Sequence, residues 1–149
     1  MAEDTFVLEF PSSYKWLNMI DLMCTEITAG MDFSQDALNE ISISVIEACT
    51  NALEHGNKCC PDCDVKAVFR RKADRLVVEV TDCGQGFDFT DYLLHIPDPS
   101  DIHKKRGRGI FIMKAMMDSL SYEKVEKGGM KIILEKMIDG GGEEDDDDD

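Results

Sequence analysis

Residues 47–57 read E-A-C-T-N-A-L-E-H-G-N, and the stretch around them decides the fold. At about 100° per residue, Leu38, Ile41, Val45, Ala48, Cys49 and Ala52 form one apolar stripe. The spacing predicts a helix that starts at Phe33-Ser34 and stops at Gly56. Glu40, Ser44, Glu47, Asn51 and His55 fall on the opposite side. Glu47, Asn51 and His55 stack at i, i+4 and i+8 and point one way. Taken alone, such a stripe is an ordinary solvated helix face.

Upstream, Phe6, Leu8 and Phe10 alternate with Val7 and Glu9, the pattern of a first strand. Pro11-Ser12-Ser13 ends it, and a serine is a good helix cap. Trp16, Leu17, Ile20, Met23, Cys24 and Ile27 follow helical spacing up to Gly30. Downstream, residues 65–69 and 76–81 form an antiparallel hairpin around residues 72–74. Asp82-Cys83-Gly84-Gln85-Gly86 follows directly. Residues 88–106, with Pro97, Pro99 and many charges, are expected to form a mobile loop. Gly107-Arg108-Gly109 is expected to open a third helix over residues 110–120, apolar on most sides and therefore buried. Two last strands, near residues 122–125 and 130–137, turn at Lys127-Gly128-Gly129. There is no internal repeat. The order strand, helix, helix, hairpin, helix, hairpin predicts an α+β two-layer sandwich. One mixed, mostly antiparallel sheet is covered on one face by three helices. Residues 1–139 form one domain, and residues 140–149 form a low-complexity acidic tail expected to be disordered.

The chain of 149 residues carries a net charge of −15, from 31 acidic and 16 basic residues. Removing the −7 of residues 143–149 leaves −8 on residues 1–142, so the body is acidic too. Direct nucleic-acid binding needs a basic surface and is excluded on this ground. An acidic body suits a protein partner with a basic face. The N-terminus has neither the basic nor the apolar region of a signal peptide. No apolar run approaches the roughly 20 residues of a membrane span. The expected location is cytoplasmic, with the six cysteines reduced.

Three segments have the makings of a nucleotide site. On the second helix, a carboxylate (Glu47) and an amide oxygen (Asn51) one turn apart can orient a nucleophile and ligate Mg²⁺, which prefers oxygen donors and keeps several waters. At Asp82-Cys83-Gly84-Gln85-Gly86, a carboxylate at a strand end can accept a hydrogen bond from the exocyclic amine of adenine, and the glycines let backbone approach a flat ring. A plain strand-to-loop turn would use the same residues. At Lys104-Lys105-Arg106-Gly107-Arg108-Gly109-Ile110, glycines at a helix start expose amides to an anion, with basic side chains nearby. An exposed basic loop is the plain alternative. No P-loop motif occurs.

E-x-x-x-N, D-x-G-x-G and G-x-G, in this order and separation, resemble the N, G1 and G2 boxes of the GHKL (Bergerat-fold) ATPases. Within that superfamily, EACTNALEHGN, DCGQGFD and RGRGIFIMKAMMD are most similar to the anti-sigma regulatory factors with serine-kinase activity. The likeness spans residues 6–137. It implies that Glu47 is the general base, that Asn51 binds Mg²⁺ and that Asp82 binds adenine. Gly84 and Gly86 match the G1 glycines, and Gly107 and Gly109 the G2 glycines near the phosphates. His55 stands where the family often has histidine, for a phosphate contact or a structural role. Lys104, Arg106 and Arg108 are candidates for phosphate contacts, and residues 88–106 match the ATP lid. The resemblance further implies a homodimer that sequesters a sigma factor and phosphorylates a small antagonist protein on serine or threonine.

Two other classes compete. One is a regulatory module that holds nucleotide and sequesters a partner without phosphoryl transfer; the presence of both Glu47 and Asn51 favours the enzyme. The other is a metal-dependent or redox regulator acting through Cys59, Cys60 and Cys63 of C-C-P-D-C, with Cys83 or His55. That spacing matches no standard zinc tetrad, so reduced loop cysteines are the expectation.

Overall fold

A computed structural model describes residues 3–57, 62–83, 105–126 and 128–138, and of His55 and residues 105–108 it describes the backbone only. Strand β1 spans Asp4–Pro11; Phe10 is buried and Phe6 and Leu8 pack on the core, while Val7 between them is 56% exposed. Helix α1 covers Leu17–Thr28 after a single 3₁₀ turn at Tyr14–Trp16, and Gly30 at φ +84° provides the left-handed exit. Helix α2 covers Gln35–Asn51. Its cap is Ser34, whose hydroxyl accepts from Ala37 N–H at 3.1 Å. A π turn at Ala52–Gly56 ends that helical run. Strands β2 (Asp64–Arg71) and β3 (Arg75–Thr81) form the expected hairpin. Helix α3 (Lys105–Met116) leads to β4 (Ser119–Lys124) and β5 (Met130–Met137).

The sheet order is β1-β2-β3-β5-β4, and its four pairings are all antiparallel. The expected mixed character is absent among the described residues, for a topological reason. The crossover through α3 returns β4 in the same direction as β3, but β5 inserts between them. Period-two alternation places rows of apolar side chains on one face. Phe6, Phe69, Val78, Leu134 and Leu120 are paired in sequence across all five strands, and so are Leu8, Ala67, Val80, Ile132 and Tyr122. Helix α2 lies centrally over these rows, burying Ile41, Val45, Ala48 and Cys49, with Leu53 of the following π turn buried beyond its end and α1 and α3 against its flanks. The other face of the sheet carries Arg70, Glu79, Lys131, Arg75 and Glu135, paired as ion pairs across strands.

Three local expectations change. The polar side of α2 is not solvent-facing throughout: Ser44 and Asn51 are buried under neighbouring elements. Ser13 makes no side-chain cap bond, and Ser12 instead donates to Cys63 O at 2.5 Å. Helix α3 begins at Lys105 and ends at Met116, not at residues 110 and 120. Its glycines lie inside it at a propensity cost of roughly 1 kcal/mol each, and tertiary packing carries it through. Leu120 leaves the helix because it pairs with Leu134 on the β4–β5 ladder. On α3, Ile110, Met113 and Met117 just beyond it are buried, while Lys114 and Ala115 are exposed. Among the described residues no helix is long and apolar enough to cross a membrane. The tail, residues 140–149, lies outside the described residues.

Candidate functional site

Asp82 follows from strand periodicity. Leu76, Val78 and Val80 point inward on β3, so the residue two beyond Val80 falls on the same face. Asp82 is 4% exposed and points beneath the end of α2. Its main-chain N–H donates to Met130 O at 3.0 Å, and its Oδ1 accepts from Met130 N–H at 3.2 Å. Two glycines make room for it: a β-carbon on Gly56 would overlap the Asp82 carboxylate, and one on Gly129 would overlap the Asp82 carbonyl oxygen. Gly129 has φ +101°, so both its conformation and its surroundings require glycine.

Asn51 reaches the same place from α2. Asn51 and Asp82 line one small cavity with Ala48, Ala52, Val80, Met130 and Ile132, of about 10 Å³. That volume suits about one water. Asn51 is 6% exposed, and its Nδ2 has no hydrogen-bond partner among the described residues. Leaving a buried amide donor unmatched costs roughly 1–3 kcal/mol, so such a group points to a ligand or a bound water.

The third segment arrives on α3. A β-carbon on Gly109 would stand 2.9 Å from Glu47 Oε1 and 3.3 Å and 3.4 Å from Asn51 Nδ2 and Oδ1. Gly109 therefore allows α3 to approach the Glu47–Asn51 face closely. This differs from the expected role of a glycine at a helix start: Gly107 falls in the first turn, where amides lack an intrahelical acceptor, but Gly109 lies deeper. Glu47 itself is half-buried. Glu47 also borders an open groove of about 500 Å³ between α1 and α2, with Leu17, Asp21 and Ile43 among its walls.

Glu47, Asn51, Asp82 and Gly109 thus converge from three distant segments. Gly84, Gly86 and Lys104 lie outside the described residues, as do Cys59 and Cys60 and the side chains of His55, Arg106 and Arg108. The donor set fits a Mg–nucleotide: one amide oxygen suits an ion that keeps its waters and binds mainly through phosphates. Among the described residues no group of three His, Cys, Asp or Glu could cage a metal. Gly56, Asn57 and Gly129 were not among the sequence candidates. Their role depends on what each packs against, and the only local hint was their adjacency to E-x-x-x-N and to the strand that pairs with Asp82.

Residues 10–136 match the family model of the histidine kinase-like ATPase domain. The chain is similar to the serine-protein kinase RsbW of Bacillus licheniformis, 30% identical over 124 residues that cover 80% of this chain and 78% of the relative. It is also similar to the serine-protein kinase RsbW of Bacillus subtilis strain 168, 26% identical over 142 residues, covering 92% and 88%. Among solved structures, the nucleotide-free catalytic domain of the histidine kinase ThkA aligns with a TM-score of 0.56 at 15% identity, over 92% of this chain and 96% of that one. That likeness speaks for the fold. Because the family match contains all three converging segments, the chain belongs to the histidine kinase-like ATPase domain family, in its group of anti-sigma regulatory serine-protein kinases.

Proposed function

We propose that this chain is an ATP-dependent serine/threonine-protein kinase that phosphorylates a small antagonist protein and sequesters a sigma factor. The observation that carries this reading is the convergence of Glu47 and Asn51 on Gly109, with Asp82 sharing Asn51's cavity. A carboxylate, an amide and a buried second carboxylate then stand in the order that base, phosphates and adenine require. Asp82 accepts the hydrogen bond of the adenine exocyclic amine. Asn51 Oδ1 is the protein ligand for Mg²⁺, which when bound neutralises phosphate charge. Glu47 accepts the hydroxyl proton of the acceptor serine or threonine as the γ-phosphoryl moves to that oxygen. By the same reading, Gly84 and Gly86 are assigned to the adenine, Gly107 and Gly109 to the phosphates, and Lys104, Arg106 and Arg108, with His55, to phosphate recognition.

Glu47 also borders the α1–α2 groove, which is open enough for a protein hydroxyl to reach it. That favours transfer over mere nucleotide holding. The working form in this reading is a cytoplasmic homodimer, with residues 1–139 as the kinase domain and residues 140–149 as an acidic tail. The test is incubation with γ-labelled ATP, Mg²⁺ and the proteins encoded by neighbouring genes. Label should appear on serine or threonine of one of them, and Glu47→Ala should abolish it. ATP binding without transfer to any of them would leave a sequestering module instead.

A further inference from the structure

Asn57 is 3% exposed and ties three segments together. Its Nδ2 donates to Ser12 Oγ at 2.9 Å and to Asp64 O at 3.2 Å. Its Oδ1 accepts from Cys83 N–H at 3.0 Å. Ser12 in turn donates to Cys63 O at 2.5 Å. One amide therefore joins the chain just past β1, the start of β2 and the chain just past β3. The π turn makes this possible. Asn57 N–H bonds to Ala52 O at 2.8 Å, five residues back, so the helical run carries one extra residue before it exits. That residue rotates the exit by roughly 100° and turns Asn57 inward.

The target of Oδ1 is the peptide directly after Asp82. Asp82 is held on one side by β5, through Met130 N–H and Met130 O. On the other side, Asn57 holds its following peptide. We infer that Asn57 is a positioning residue that sets selectivity for adenine, an inference that rests on the reading of Asp82 as the adenine acceptor. The chemistry is a matter of edges. Adenine offers an exocyclic amine where guanine offers a carbonyl oxygen, so a fixed carboxylate accepts from the first and repels the second. Discrimination of this kind depends on a polar group that cannot move to escape a mismatch. Without Asn57 the Asp82 carboxylate gains freedom, and it loses contrast between the two bases more than it loses the fold.

The experiment measures the affinity of the full chain for ATP and for GTP by calorimetry, with circular dichroism as the check on folding. Asn57→Ala is expected to weaken ATP binding about tenfold, the scale of one lost buried hydrogen bond, with GTP binding changed less than about twofold. The ATP-to-GTP preference then shrinks by about five- to tenfold. Ser12→Ala removes the outer partner of Asn57, together with the bond to Cys63 O, and leaves the Asn57 bond to Cys83 N–H in place; it should move the preference the same way, by about threefold, and carries the test if Asn57→Ala does not fold. Equal weakening of ATP and GTP, or an unaltered preference in the folded variants, overturns the positioning role alone. A wild-type chain that binds no ATP overturns the adenine reading together with it.

Discussion

Gly109 of α3 faces Glu47 of α2 so closely that a β-carbon on the glycine would stand 2.9 Å from Glu47 Oε1. A methyl group there has two opposed effects. Alanine favours the helix by about 1 kcal/mol over glycine. The added carbon also crowds the carboxylate tip, which can swing aside, and Asn51, which is buried and cannot. Gly109→Ala should therefore keep its stability within about 1 kcal/mol while displacing Glu47. Phosphoryl transfer should fall by about 10- to 100-fold, the scale of a misplaced catalytic group. Urea unfolding and initial rates check the two halves; full-speed transfer would show that the Glu47–Gly109 contact does not matter.

The turn between β4 and β5 separates backbone strain from collision. Gly128 and Gly129 have φ +104° and +101°, and a β-carbon on Gly128 would meet nothing within 4 Å. Alanine at 128 bears strain only, about 1–2 kcal/mol. Alanine at 129 bears the same strain and also strikes the main chain of Asp82 and Cys83, which has no flexible end to yield. Its cost should be about 3–4 kcal/mol, and nucleotide affinity should fall with it. Thermal melts of the two variants check this; equal losses would remove the collision.

What could be read beforehand follows the range of the signal. Period-two alternation in Phe6, Leu8 and Phe10 and in Leu76, Val78 and Val80 marked the strands and, continued two residues, the inward face of Asp82. The polar stripe through Ser44 and Asn51 looked solvent-facing because residue type cannot tell water from a neighbouring helix. Helix α3 was misjudged at both ends for a related reason. Gly107 and Gly109 resemble a helix start, and Ser119-Leu120 a helix end, until the contact with α2 and the pairing with β5 are known. Beyond its place next to E-x-x-x-N, Asn57 had no local signal for its role, since two of its three side-chain partners, Ser12 and Cys83, lie far off in sequence.

The buried thiols give a pH dependence. Burial pushes Cys24 up from 9.0 to about 11 and Cys49 up to about 12. At alkaline pH the unfolded chain ionises these thiols first, so the folded state holds more protons and stability falls as pH rises. The contribution is complete below pH 9 and disappears upward through about 11 and 12. The slope is about 1.4 kcal/mol per pH unit for each thiol inside that window. Urea midpoints between pH 8 and 10.5 should fall more steeply for the wild type than for Cys49→Ala. At pH 8, alkylation of the native chain should label the exposed Cys83 and spare Cys24 and Cys49; labelling of Cys49 in the folded protein would contradict its burial.

Asp82 and Glu47 should fail in different ways. Asp82→Asn keeps an oxygen for Met130 N–H, so the strand end stays in place. What it loses is negative charge and one acceptor, and a charge-assisted hydrogen bond contributes about 1.5–3 kcal/mol. ATP affinity should fall by roughly 10- to 100-fold with little change in the melt. Glu47→Gln keeps size and hydrogen bonding at the mouth of the groove but cannot take a proton at neutral pH. It should bind ATP nearly as the wild type does and lose about 10²- to 10⁴-fold in transfer. Calorimetry with ATP and a single-turnover transfer assay on both variants distinguish the roles. If Asp82→Asn binds ATP unchanged, the carboxylate beside Asn51 is a structural clamp on Met130 and not a contact to the base; if Glu47→Gln transfers at full rate, the proton leaves by another group.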